Sequence, residues 1–307
     1  MHPAWSVIVF TTVAGAAQGL VVALALATLL GVPLAPGVVD GALVCALLML
    51  GVGLASSFLH LGRPLRAWRA VAMWRTSWLS REVIALPAFM AVVAAWWLAR
   101  RMGVSAPWLP LLAIVFAGLL WYCTAMVYVC IRFIQEWAHA LTIVNVTLIG
   151  LASGMLLAAA LAVLGGEPII ARRLVPWALA LTLLAWATRT LALRRNAALK
   201  LKSDLQSATG IRAKKLVQKS MGMSAGSFNT REFFHGASAA ALRHIRLALH
   251  GLGFALPALL LLAVLLGAPL GWLLLALGVQ GVGLLAERWL FFAQARHPQN
   301  LYYQTVS

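Results

Sequence analysis

The chain has 307 residues, of which 63% are hydrophobic and only 10% charged. Soluble domains carry about 25% charged residues, so a soluble globular fold is excluded and apolar runs of about 20 residues read as membrane spans. The net charge of +17, from 24 Lys and Arg against 7 Asp and Glu, would suit a nucleic-acid binder. In so apolar a chain it speaks first for membrane orientation and for contact with anionic lipid or a partner.

Eight apolar spans follow in chain order, at roughly 4–30, 38–60, 83–99, 108–133, 141–164, 174–193, 247–266 and 270–292. The fold expected is an all-α integral membrane protein, a bundle of eight transmembrane helices. The first run starts at once, lacks a basic leader and is long enough to span, so it reads as a helix and not as a cleavable signal. The connection after it, GVPLAPGVVD, is short and rich in Gly and Pro, as a tight turn between antiparallel helices requires. Span two is expected to end at His60, with Gly62 and Pro64 stopping the helix, and Glu82 to open span three. Gly165 to Pro168 form another short turn after span five. No soluble insertion interrupts the pattern, so 1–307 reads as one membrane domain with a basic loop at 194–246.

That loop contains two capping-box patterns, Ser203 with Gln206 and Asn229 with Glu232, the second placed to start a helix running into span seven. The loop reads either as a basic surface facing anionic lipid or as a docking surface for a soluble partner. Its length and its FNTREFFHG segment speak for the second. Eight spans put both termini and the connections 2–3, 4–5 and 6–7 on one side. Only Arg100, Arg101, Arg172 and Arg173 fall on the other side, leaving 20 of the 24 Lys and Arg on the first. The bias predicts that both termini are cytoplasmic.

Several chemistries are disfavoured. Cys45, Cys123 and Cys130 lie in apolar runs and form no CxxC or CxxCH, which speaks against iron–sulfur ligation or c-type haem attachment. No span carries a central charge of the kind that marks an ion pathway. Arg189 and Glu287 lie towards the cytoplasmic ends of their spans, and Asp40 starts span two on the other side. A solute carrier stays open, with Gln18, Asn145 and Gln280 to line a cavity, although no internal repeat supports it. A haem b anchor with His60 and His250 as axial ligands also stays open, although no His lies deep in a span.

The segment SSFLHLGRPLRAWRAVAMWRTSWLSRE, Ser56 to Glu82, stands apart. Arg63, Arg66, Arg69, Arg75 and Arg81 alternate with Trp68, Trp74 and Trp78, as in an amphipathic segment lying in the interface with Trp anchors and snorkelling Arg. That pattern leaves His60 and Glu82 unexplained. A quinone explains both. Its two ring carbonyls need donors, and its reduction takes up protons as well as electrons. A His at the boundary donates and exchanges protons near neutral pH, a Glu passes protons to water, and an Arg stabilises negative charge developing on the ring. The competing reading makes Glu82 a helix-start carboxylate favoured by the helix dipole.

At HLGRP, His60 to Pro64, and MWRTSWLSREV, Met73 to Val83, the sequence resembles the membrane-anchor subunit of the dimethyl sulfoxide reductase type. The eight-span layout and the polar GAAQG of span one, Gly15 to Gly19, agree, so the resemblance covers essentially the whole chain. It implies an anchor without haem or metal of its own, set in the bacterial inner membrane. It also implies partners on the cytoplasmic face, an iron–sulfur subunit and a molybdopterin catalytic subunit, and a bound quinone, ubiquinone or menaquinone. The family's His and acid fall on His60 and Glu82. Arg63, Arg66, Arg81 and Gln18 are the neighbouring quinone candidates, while Arg69, Arg75, Asn229, Arg231, Glu232 and His235 are the docking candidates. The family often reads Ser-Asn-Glu where this chain has Ser80-Arg81-Glu82, which keeps the acid in place. Within the family, a cytoplasmic orientation and the basic loop are similar to those of membrane-bound sulfite dehydrogenases. The implied function is therefore the anchor of a complex passing electrons from sulfite to quinone. A quinol-oxidising anchor of a terminal reductase is the alternative within the family.

Overall fold

The structure, a computed structural model, describes residues 2–59, 63–200, 204–220 and 233–302. Eight helices in it are long and apolar enough to cross a membrane. They are α1 (Trp5–Leu29), α2 (Pro36–Phe58), α3 (Trp78–Arg101), α4 (Trp108–Val129), α5 (Ala140–Leu164), α6 (Pro168–Ala197), α8 (Ala239–Leu265) and α9 (Trp272–Ala293). A short helix, α7 (Leu205–Thr209), lies in the basic loop, and two 3-10 helices cover Pro64–Met73 and Pro298–Tyr302. Leu48, Leu111, Trp177 and Leu259 are each more than half exposed along the spans, an arrangement that suits lipid and not water.

Small residues set the centre of the bundle. Helix α1 crosses α5 where Gly15 and Gly19 face Gly150 and Gly154. A Cβ on Gly19 would strike the carbonyl of Gly150, and one on Gly154 would strike the backbone of Gly19. Such small-xxx-small pairs let helix backbones touch where apolar burial gives no drive for association in lipid. Gly253 and Gly283 make the corresponding contact between α8 and α9. There α8 widens into a π-turn, Gly251–Ala255, just before Pro257. Proline has no N–H to bond the carbonyl four residues back, so the ladder shifts register at that point.

The connection 130–139 tucks beneath the bundle. Trp137 stacks on Phe291 with ring centres 5.6 Å apart and donates its indole N–H to the Phe291 carbonyl at 2.9 Å. On the opposite side, Arg100 at the end of α3 pairs with Asp40 at the start of α2 at 2.8 Å. Two sequence expectations need correction. The capping box in the basic loop is Asp204 with Ser207, one residue beyond the expected pair, because α7 begins at Leu205. The Ser207 N–H donates to the Asp204 carboxylate at 2.7 Å and holds that carboxyl below its ordinary range. Helix α8 starts at Ala239, capped by Ser238. The expected box of Asn229 and Glu232 lies outside the described residues.

Candidate functional site

Past the end of α2 at Phe58, the chain reaches the 3-10 helix Pro64–Met73. Arg63 and Arg66 are exposed along it, and so are Trp68 and Trp74. The Arg69 guanidinium sits 5.5 Å from the Trp68 ring centre, and that of Arg75 sits 5.5 Å from the Trp74 ring centre. Both are cation–π pairs at an exposed surface. Arg81 does not turn towards Glu82. Its guanidinium donates to the carbonyls of Trp74 and Arg75, at 2.9 and 2.8 Å, and lies 4.1 Å over the Trp78 ring. It thus ties the interfacial segment to the start of α3.

Helix α3 begins at Trp78 with Ser77 as its N-cap, the Ser77 hydroxyl accepting from the Ser80 N–H. Glu82 therefore stands one turn inside the helix and does not open it. It is past the free N–H groups of the first turn, so the helix-start reading loses its basis. Its residue is 7% exposed. The Thr124 hydroxyl of α4 donates to Glu82 Oε1 at 2.5 Å, and among the described residues Oε2 has no partner. The residues fit a quinone in chemistry, since a buried carboxyl with one oxygen bonded to Thr124 stands one turn into the helix that an arginine-bearing segment leads into.

Gln18 reaches the same neighbourhood from the other side of Thr124. A cavity between α1, α4, α5 and α9 is lined by Gln18, Trp121, Thr124, Ser153 and Arg288. Its water-accessible space is about 20 Å³, room for about one water and none for a quinone ring. Gln18 Nε2 donates to the Ala14 carbonyl at 3.1 Å, while Gln18 Oε1 and Trp121 Nε1 have no partner. Gln18 and Glu82 are thus brought together only through Thr124.

Sequence reasoning missed a buried ion cluster. Glu287 of α9 pairs with Arg189 of α6 at 2.7 Å through Oε1 and with Arg288 through Oε2. The Arg189 contact is an ion pair without hydrogen-bond alignment. Arg189, Glu287 and Arg288 are all buried, and the two guanidinium groups lie 5.9 and 5.1 Å from the Phe291 ring centre. A second cavity, with about 10 Å³ of water-accessible space, is lined by Glu136, His139, Asn145, Arg189, Arg195 and Arg288. The signal was there: Glu287 and Arg288 are adjacent charges inside an apolar run of a chain with only 7 acids.

The other candidates scatter. His235 accepts from the Ala237 N–H at 3.0 Å, and its ring lies 6.1 Å from that of Trp289. Burial holds its pKa below the ordinary value. His250 accepts from the Trp186 indole N–H at 2.9 Å. His60, Asn229, Arg231 and Glu232 lie outside the described residues. Among the described residues, no group of three or more His, Cys, Asp or Glu stands ready to hold a metal.

Residues 1–292 match the DMSO reductase anchor subunit (DmsC) family. The chain belongs to that family. It is 48% identical to a subunit of the sulfite dehydrogenase of Allochromatium vinosum, over an alignment of 328 residues covering the whole of both chains. It is 34% identical to the anaerobic dimethyl sulfoxide reductase chain YnfH of Escherichia coli over 117 residues, 37% of this chain and 41% of that one. With eight membrane-length helices, this DmsC-family chain is a multi-pass membrane anchor of a multi-subunit complex.

Proposed function

We propose that this anchor carries an iron–sulfur subunit and a molybdopterin catalytic subunit on the cytoplasmic face of the bacterial inner membrane. In this reading it hosts the quinone reaction of a sulfite dehydrogenase, passing electrons from sulfite to the quinone pool. The full-length 48% identity to a sulfite dehydrogenase subunit supports the substrate. The excess of Lys and Arg on the side of the termini supports the cytoplasmic face. The observation that carries the quinone assignment is Glu82, a buried carboxyl bonded on one oxygen and standing one turn into the helix that follows the arginine-bearing segment.

A bound quinone, ubiquinone or menaquinone, supplies the acceptor for two electrons and two protons. The chain supplies what surrounds it. Glu82 holds and releases a proton, and Thr124 fixes the orientation of the carboxyl through Oε1. His60 donates at the membrane boundary and exchanges protons there. Arg63 and Arg66 keep positive charge beside developing negative charge, while Arg81 pins the segment to α3. Gln18 acts from behind Thr124. Arg69, Arg75, His235 and the 229–232 stretch offer the docking surface. The partial likeness to the dimethyl sulfoxide reductase chain favours a second reading, the same site run in reverse by a quinol-oxidising complex.

Purification of the chain in mild detergent, with mass spectrometry and a visible spectrum of what accompanies it, tests the assignment. Molybdopterin and iron–sulfur subunits that reduce quinone with sulfite are expected. A partner that instead consumes quinol selects the second reading. A haem Soret band carried by this chain, or a chain that purifies and transports alone, refutes both.

A further inference from the structure

Hydroxyls in the spans mostly serve their own helix. Those of Thr11, Thr12, Ser153, Thr182 and Thr190 each donate to a carbonyl four residues back, the usual way for a hydroxyl to be satisfied in an apolar helix. Thr124 departs from this. Its hydroxyl crosses from α4 to α3 and donates to Glu82, which leaves its oxygen lone pairs for the cavity that it also lines. Two further buried groups on that cavity lack partners, the donor Trp121 Nε1 and the acceptor Gln18 Oε1. Gly150 makes room for the indole, since a Cβ there would stand 2.7 Å from Trp121 Nε1.

Buried waters typically make about three hydrogen bonds to otherwise unsatisfied polar groups and need about 10–15 Å³ of accessible space. The cavity offers about 20 Å³. Its partners are one donor (Trp121 Nε1) and two acceptors (Gln18 Oε1 and Thr124 Oγ1). We infer that this cavity binds one ordered water and that the water, through Thr124, is the proton-exchange partner of Glu82. The inference rests on Glu82 as the proton-handling group of the proposed site. The step balances without electrons. An excess proton on the water passes to Thr124 Oγ1 as the hydroxyl proton passes to Glu82 Oε1, restoring both water and hydroxyl. Arg288 faces the same cavity with its charge shared with Glu287. A cation there keeps an excess proton from resting on the water and directs it on to the carboxylate.

Infrared spectroscopy of the full chain in lipid vesicles tests this without quinone. Only 7 acids contribute carboxyl bands, and the Glu82 band is the one that Glu82→Gln removes. After a switch to heavy water, the rate of its deuterium shift is read. Thr124→Val and Trp121→Phe should each slow that shift, by about a hundredfold for Thr124→Val, the lower range of what a positioned proton-transfer group contributes. Thr124→Ser should restore it. Wild-type exchange rates in both Thr124→Val and Trp121→Phe would overturn the inference, because protons would then arrive from the interfacial segment. So would the absence of a Glu82 carboxyl band, because a group that never takes up the proton has none to exchange. Because no quinone takes part, the exchange result stands or falls separately from the quinone assignment.

Discussion

Replacing Glu287 with Gln strips the buried ion cluster of its carboxylate while keeping the side-chain shape. Arg189 and Arg288 are 2% and 5% exposed and Glu287 is 0% exposed. Neither guanidinium can lose its proton. The native cluster carries two positive charges against one negative, and the variant would hold two buried cations with nothing between them. Each pair contributes an attraction of about 4 kcal/mol at 4 Å and an effective dielectric of 20. Removing one partner of a buried pair costs about 3–5 kcal/mol, and the upper half of that range applies because one carboxylate serves two cations. Unfolding of the chain in mixed micelles by titration with dodecyl sulfate, followed by circular dichroism, measures the loss. Adding Arg189→Met to Glu287→Gln should recover part of it by removing one buried charge. A Glu287→Gln variant within about 1 kcal/mol of the native chain would refute the reasoning, since that is the range of solvent-exposed pairs.

Other outcomes follow from the packing and the loops. Gly154→Leu should force α1 and α5 apart at Gly19 and cost at least the 1–3 kcal/mol of ordinary overpacking, read by the same unfolding titration. Trp137→Phe should cost about 1–3 kcal/mol, because the buried Phe291 carbonyl loses its donor. Burial holds His139, His235 and His297 below the ordinary histidine value of 6.5. The unfolded chain therefore binds more protons than the folded one as pH falls. Their contribution is complete above pH 6.5 and is lost on acidification, so the unfolding midpoint should fall from pH 7 towards pH 5. His139 accepts the Leu141 N–H as the N-cap of α5. His139→Asn keeps a capping acceptor and should flatten part of that fall, whereas an unchanged slope would remove His139 from the account.

The eight spans are legible in the apolar runs because length and hydropathy alone decide whether a helix crosses a membrane. Helix ends read less well. The sequence pattern opens span three at Glu82, yet the helix opens at Trp78, since Ser77 caps the backbone and Trp78 itself suits the interface. That one-turn difference moves Glu82 from the helix start to the interior. The partners of Glu82 are invisible for another reason. Thr124 lies 42 residues away on a different helix, and a threonine in an apolar run gives no sign of whether its hydroxyl turns inward or sideways. GAAQG reads as a polar patch, while the structure uses its glycines for the crossing with α5 and its Gln for a water-sized cavity. Arg189 and Glu287 stand far apart in the chain, on two helices that the fold brings within side-chain reach, and their pairing shows only there.

The most direct test of the quinone assignment is the intact complex carrying Glu82→Gln, assayed once with quinone and once with a soluble artificial acceptor. Quinone-coupled sulfite oxidation should fall by about 10²–10⁴-fold, the contribution of a positioned acid or base, while the artificial-acceptor rate stays at the native level. Retained quinone coupling, or a parallel loss of both activities, would contradict the account and remove Glu82 from the quinone reaction.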